Sequence, residues 1–244
     1  MTITPLPPIN ENPLITTAHQ IRQQYTDEIA VARARTDLAD LQKAEAIIDF
    51  WRRCRDALRK AEAELRQEYR DQHDAINELF PFGPDNSASN PADRTVMQEA
   101  FHRQLDVARE AQTLAANDPS RRQSLLNDAV AFDDDTLLRA ILTAASQARD
   151  DKFLRGWASG RPEFEGLLPE LLRVREFLIG LSAEALIAHQ VFAPLEEPTR
   201  EVEDLPRLER ARDAAEAEMA AQRRGRPQVV DPNLPTFGVA GGVR

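Results

Sequence analysis

The chain has 244 residues and a formal net charge of -10, with 42% hydrophobic but only 6% aromatic residues. This length allows one large domain or two small ones, and the negative charge disfavours extended binding to the phosphates of nucleic acids. Strong helix formers such as Ala, Leu, Glu, Arg and Gln are abundant, with only 9 glycines, which predicts an all-α protein.

The N-terminal segment, residues 1–15, is predicted to be an extended arm. It contains prolines at positions 5, 7, 8 and 13. Each proline removes a backbone donor and resists the interior of a helix. The arm should therefore run until the proline-free part of the chain begins.

Residues 16–117 are predicted to form a long helical hairpin or coiled coil. Its first part has no proline or glycine as far as residue 79, which is about 60 residues or roughly 90 Å of straight helix. Apolar residues recur there at spacings of three and four, as in a helix that packs along its length on another helix. We therefore expect Trp51, Leu58 and Leu65 to make protein contacts.

Two local features shape this hairpin. The apolar stripe loses its register between Ile29 and Ala34, which leaves open a break near Thr36 and thus two helices instead of one. The loop at residues 80–92 is rich in proline and small polar residues, which end a helix. A further helix, from about residue 93, should then fold back antiparallel on the first.

Short helices are predicted for residues 118–193, which should form a small helical bundle. Asp118 followed by Pro119 is a typical helix start. The acidic run Asp133 to Asp135 lacks the spaced oxygen ligands and the glycine of a calcium loop. We interpret this run as helix capping, with negative charge at the positive end of the helix dipole.

The C-terminal part is predicted to comprise a linker with a charged helix, residues 194–223, and an extended arm, residues 224–244. The helix should begin near Pro206, and it is poor in large apolar side chains. The arm contains several prolines and no helical period, so it would gain order only on a partner. Leu234 and Phe237 are its expected contact residues.

The segment Arg224-Gly225-Arg226-Pro227 has two interpretations. It resembles the core of an AT-hook, in which extended arginines enter the minor groove of DNA, and this would make Arg224 and Arg226 the DNA contacts. The residues after it are not basic, unlike the flanks of most hooks. The favoured interpretation is therefore a helix end, with Gly225 as the terminating residue and arginines that complement the helix dipole.

No recognisable catalytic, cofactor or metal motif occurs in the sequence. Glu99 and His102 form a single Glu-x-x-His pair, whereas a helical di-iron site needs two such pairs. Cys54, the one cysteine, lies on the apolar stripe, where ordinary packing explains it. No apolar run approaches the ~20 residues that span a bilayer. We therefore expect no enzyme activity, no cofactor, no membrane insertion and a cytoplasmic location.

Residues 125–171 contain, in order, an acidic turn, a helix that begins with paired leucines, a turn with a tryptophan and a helix that begins with proline. In this pattern the segment resembles structural-region proteins of phages that infect high-GC, actinobacteria-like hosts. The strong preference for Arg over Lys is typical of such genomes. The resemblance implies a role in the virion or its assembly, first in the host cytoplasm and then in the particle.

The leading hypothesis is a non-enzymatic phage structural or assembly protein, for example a capsid-associated virion component, that binds copies of itself and other virion proteins. One alternative is a transient scaffolding protein or assembly chaperone. Another alternative is a DNA-associated coiled-coil protein that uses the Arg224 to Pro227 segment. The sequence leaves the partner and the oligomeric state open.

Overall fold

A computed structural model describes residues 3–115 and 118–225, with side chains as far as residue 222. The described residues form helices and turns and contain no strand, so the predicted all-α class is confirmed. A 3₁₀ turn at Ile9–Glu11 precedes the first α-helix. The α-helices are α1 (Pro13–Ala34), α2 (Asp40–Asn77), α3 (Pro91–Leu114), α4 (Pro119–Ala131), α5 (Asp135–Gln147), α6 (Asp151–Ala158), α7 (Pro162–Glu165), α8 (Leu167–Leu178), α9 (Ala183–Val191) and α10 (Thr199–Gly225).

The long proline-free stretch forms two helices, which resolves the alternative that the sequence left open. In the interruption, residues 35–39, the guanidinium of Arg35 donates two hydrogen bonds to the carboxylate of Asp37, at 3.1 and 2.7 Å. The side chain of Gln42 accepts a hydrogen bond from the backbone N–H of Ala39 (3.4 Å). This contact satisfies one of the donors that a helix start leaves unpaired. Local polar contacts thus accompany the break.

Helix α1 begins earlier than predicted because Asn12 caps it. The side-chain oxygen of Asn12 accepts a hydrogen bond from Leu14 N–H (2.8 Å), and Pro13 occupies the first helical position. Proline is well tolerated at this position because its missing donor would have no partner inside the helix. The predicted arm of residues 1–15 is therefore shorter in the described chain. We use "the arm" below for residues 3–8, which have no helical structure.

The chain forms two compact units that differ from the predicted domains. The first contains residues 3–23, 55–115 and 118–194, and the second contains residues 24–54 and 195–225. Both α1 and α2 contribute residues to each unit. The predicted boundaries followed the order of the sequence, so they could not describe units that combine distant parts of the chain.

The main core of the first unit contains a row of aromatic rings. Phe80 stacks on Phe82 with 5.2 Å between ring centroids, and Phe164 lies 5.0 Å from Phe80 and 4.9 Å from Trp157. The loop after α2 therefore fills part of the core as well as connecting two helices. Buried aliphatic residues surround this row, namely Ile76, Leu142, Leu154, Leu168, Leu171 and Leu172.

Helix α3 packs on α5 and α4. Its buried residues Phe101, Leu105 and Ala108 share a cluster with Ala129 of α4 and Ile141 of α5. We expected α3 to fold back on the first long helix, but these contacts place it in the bundle of short helices. The sequence pattern identified the apolar side of α3 and could not tell which apolar neighbour would cover it.

The predicted capping is confirmed. The side chain of Asp118 accepts a hydrogen bond from Ser120 N–H (3.1 Å), and that of Asp134 accepts one from Leu137 N–H (2.9 Å). Asp135 lies in the first turn of α5, at the positive end of the helix dipole. The acidic run therefore starts a helix, as its position in the sequence predicted.

In the second unit, α10 begins at Thr199 and continues through Pro206. The expected start near Pro206 is therefore corrected, and much of the expected linker is helical. Glu201 in the first turn of α10 is buried and accepts two hydrogen bonds from Arg33, at 2.8 and 3.1 Å. These bonds lower the pKa of Glu201, although burial opposes its ionisation. Residues 209–222 are exposed, in keeping with a helix poor in apolar side chains.

Candidate protein-contact sites

The arm is held by side chains of α2 and α8 in the first unit. Leu6 N–H donates a hydrogen bond to Glu170 Oε1 (3.0 Å), and Arg173 Nη2 donates one to Leu6 O (3.0 Å). Gln72 Nε2 donates to Thr4 O (3.0 Å). All three hydrogen bonds reach the backbone of the arm. The arm is therefore bound as a docked peptide is, through one backbone N–H and two backbone carbonyl oxygens.

Four side chains form what we call the clasp: Tyr69, Glu170, Arg173 and Glu184. Arg173 donates to both carboxylate oxygens of Glu170 (2.8 Å each) and to Glu184 Oε1 (2.8 Å). Tyr69 Oη donates to Glu184 Oε2 (3.3 Å), and the tyrosine ring stacks on Phe177 with 3.6 Å between centroids. One guanidinium thus joins two carboxylates and the arm.

The clasp shifts the pKa values of its members. Burial opposes ionisation of Glu170, but hydrogen bonds from Arg173 and from Leu6 N–H outweigh it and lower the pKa of Glu170. The hydrogen bonds to Glu170 raise the pKa of Arg173. Burial, reinforced by the charge of Glu184, raises the pKa of Tyr69 to about 12. At neutral pH the clasp therefore contains an ionised Glu170, a protonated Arg173 and a neutral Tyr69.

The second candidate surface is the turn at the end of α4, residues 130–134, which we call the Phe132 turn. Phe132 is 80% exposed and Val130 is 60% exposed. Asp134 N–H donates to the backbone carbonyl five residues earlier (2.9 Å), which closes the helix end. Asp133 has a φ of 53°, in the left-handed region where glycine is the usual residue. The turn thus holds a large apolar side chain in solvent.

Helices α4 and α6, with the turn before α7, line a groove of about 760 Å³, which we call the α4–α6 groove. Its apolar lining includes Leu126, Phe153 and Trp157. Val130 and Ala131 also line it, so the groove and the Phe132 turn are parts of one continuous surface.

The α4–α6 groove carries positive charge. Arg122 lies over the Phe153 ring, 4.0 Å from its centroid, and pairs with Asp150. Lys152 and Arg161 also line the groove, and neither forms an ion pair with a carboxylate in the described part of the chain. The groove therefore combines an apolar floor with a surplus of cations, in a chain whose net charge is -10.

The contact residues predicted on the long helix lie in different environments. Leu58 and Leu65 are buried, and Leu65 lines a small cavity with Phe177 of α8 and Ala185 of α9. Their expected role as contacts to another protein is therefore corrected, because they are core residues of a single copy. Trp51 is half-buried in α2.

The C-terminal predictions lie outside the described residues. This applies to Leu234, Phe237 and Arg226, and to the side chain of Arg224. Both the extended C-terminal arm and the AT-hook interpretation therefore stay predictions.

The described residues contain no group of three or more His, Cys, Asp or Glu placed to hold a metal ion. Among the helices of those residues, none is both long and apolar enough to span a bilayer. Cys54 is buried, and burial raises the pKa of its thiol.

Sequence reasoning missed both candidate surfaces. Glu170 and Arg173 are three positions apart, a spacing common in exposed ion pairs on helices, so nothing marked them as buried. Phe132 directly precedes three aspartates at a helix end. That neighbourhood was a usable signal for an exposed aromatic side chain.

Comparison with protein-family models, with curated proteins and with solved structures found no match to this chain.

Proposed function

We propose that this chain is a non-enzymatic structural or assembly protein of a phage particle, and that it acts by binding copies of itself and other assembly proteins. The observation that carries the proposal is the docked arm, whose Leu6 backbone is bonded to Glu170 and Arg173. The phage assignment is supported by the resemblance of residues 125–171. The C-terminal arm enters the proposal on sequence alone.

The contacts of the arm do not require that the arm and the clasp belong to the same copy. Glu170 and Arg173 bind the backbone of Leu6, and Ile3 packs against the core of the first unit as an apolar anchor. The arm of a neighbouring copy has the same groups. Exchange of an identical segment between copies is a general route to assembly.

The composition of the arm and of the clasp suits such an exchange. Prolines at positions 5, 7 and 8 keep a free arm extended, so less conformational entropy is lost when it docks. The bonds from Arg173 to Glu170 and Glu184 do not involve the arm, so they hold the clasp ready for an incoming peptide.

The test uses a chain that lacks residues 1–8 and a fluorescent peptide of the same eight residues. The truncated chain should bind the peptide, measured by fluorescence anisotropy, and the full chain should bind it more weakly because its own arm occupies the clasp. Arg173→Gln in the truncated chain should weaken binding about tenfold or more, since it removes a charge-assisted hydrogen bond. Arg103→Gln, at an exposed ion pair of α3, is the matched control.

Light scattering of the full and truncated chains at rising concentration then measures self-association. Truncation should lower the mean mass, because copies can no longer exchange arms. The proposal is contradicted if the folded truncated chain does not bind the peptide, or if truncation leaves the mass of the assembled protein unchanged.

A further inference from the structure

We propose that the Phe132 turn of one copy docks in the α4–α6 groove of a second copy, in a two-fold symmetric contact. This inference deepens the proposed assembly function and rests on it, but it uses a surface that is separate from the arm and the clasp. The occupant is a second copy of this chain because the turn supplies an aromatic side chain for the apolar floor of the groove and a carboxylate for its excess of cations.

The turn places an exposed aromatic side chain directly before a residue in the left-handed backbone conformation. Phe132 is 80% exposed, and the residue after it, Asp133, has a φ of 53°. Glycine is the usual residue in this conformation, and Asp and Asn adopt it more readily than other residues do. Aromatic side chains, Phe among them, are enriched in protein interfaces relative to the rest of the surface. The turn therefore has the form of an interface element that nothing in the described chain covers.

The groove has apolar groups that could receive the ring. Leu126 and Phe153 are half-buried, and Trp157 lies beneath them in the core. Aromatic pairs in offset or edge-to-face arrangements add to the gain from burying their area. At about 760 Å³ the groove also has room for the residues that flank Phe132 in the turn.

The charges of the two surfaces are complementary. Lys152 and Arg161 have no carboxylate partner in the described part of the chain, and Asp133 has no cationic partner there. Arg161 lies over the Trp157 ring and donates to the Trp157 carbonyl, so among the described residues Lys152 is the groove cation without another contact. Docking Phe132 in the groove of a second copy would bring Asp133 next to these cations. Such rim contacts favour the right partner and the right register.

The arrangement of the two surfaces favours a closed dimer. Val130 and Ala131 line the groove and lead directly into the Phe132 turn, so each copy presents both surfaces on one patch. A two-fold axis through that patch lets each turn enter the groove of the other copy. A self-complementary patch of this kind closes at two copies instead of growing into a filament.

Sedimentation velocity of the full chain over a range of concentrations tests the contact. Phe132→Ala should weaken self-association about tenfold or more, because an aromatic ring is no longer buried in each of the two grooves. Leu181→Ala is the matched control, since Leu181 is 68% exposed in the same unit but lies away from the groove, and it should leave the association unchanged. Circular dichroism confirms that each variant is folded.

Exchanging the charges of Asp133 and Lys152 tests whether these two residues face each other across the dimer contact. Asp133→Lys and Lys152→Glu should each weaken the dimer, and the variant that carries both changes should regain most of the affinity, because the exchanged charges again face each other. A merely structural effect of either substitution would not be reversed by the other.

The outcomes separate this contact from the proposed function. If the wild-type chain self-associates and Phe132→Ala does so equally well, the contact is wrong and the assembly role stands. If the wild-type chain stays monomeric up to about 1 mM, the contact is also wrong, because a specific dimer should be populated at that concentration. Self-association through the arm then fails as well, and binding of the arm peptide to the clasp, which does not involve Phe132, decides only whether the clasp accepts a peptide from another chain.

Discussion

The clasp and the Phe132 turn belong to the same compact unit, but the clasp buries ionisable groups whereas the turn exposes apolar ones. At the clasp, ionisable side chains are buried or half-buried, and Arg173 bonds to both carboxylates and to the arm. At the turn, Phe132 and Val130 are exposed to solvent.

Burial of a charged group is unfavourable unless the group is paired and hydrogen-bonded, and exposure of a large apolar group forgoes the gain from burying it. In the clasp, the charged groups are paired and hydrogen-bonded within one copy. At the turn, the free energy that burial of Phe132 and Val130 would provide is not gained within one copy. Within one copy, the arm therefore completes the hydrogen bonds of the clasp, whereas nothing in the described chain covers the apolar side chains of the turn.

The largest expected difference is between two phenylalanines. Phe177 is buried and stacks on Tyr69, so Phe177→Ala should lower the free energy of unfolding by about 3–5 kcal/mol. Phe132→Ala should change it by less than about 0.5 kcal/mol, because the ring is in solvent. Urea unfolding of dilute protein measures both values. Similar losses for the two variants would mean that Phe132 belongs to the core.

The second difference is between two arginines. Arg173→Met should lower the free energy of unfolding by about 2–4 kcal/mol, because it leaves Glu170 and Glu184 without their cation. The loss is smaller than for fully buried carboxylates, because solvent reaches the clasp. Arg103→Met removes an exposed pair on α3, at 3.7 Å from Glu99, and should change it by less than about 0.5 kcal/mol. Thermal or urea unfolding distinguishes them, and equal values would show that the clasp is no more than a surface ion pair.

The smallest effect concerns the pH dependence of the clasp. The pKa of Glu170 is lowered in the folded chain, so its contribution to stability is present above the ordinary carboxyl pKa of about 4.3 and is lost as the pH falls through the lowered pKa. Glu170→Gln should cost about 1–2 kcal/mol at pH 7, because a charge-assisted hydrogen bond is weakened.

The same variant should show a smaller loss of stability than the wild type between pH 7 and the acid range, measured by urea unfolding at each pH. Glu163→Gln, on the exposed first turn of α7, is the control and should follow the wild type. If Glu170→Gln has the same pH dependence as the wild type, Glu170 is not held ionised by the clasp.

Much of the helical architecture could be predicted because its causes are local. Asp118 before Pro119 and the acidic run before Leu137 supply caps within a few residues, and their hydrogen bonds are present. The apolar stripe of α2 correctly marked Leu58 and Leu65 as residues that a neighbour must cover. The start of α1 was missed although its signal, Asn12 before Pro13, is equally local.

The sequence by itself determined the all-α class, most helix ends and the apolar side of each long helix, because propensity, capping and periodicity act over a few residues. Only the tertiary structure decided which surfaces meet. It placed α3 on α5, covered Leu65 from within the same chain, and brought Leu6 to Arg173 across more than 160 positions. These pairings depend on the packing of several apolar faces that look alike in the sequence, so no local signal could select among them.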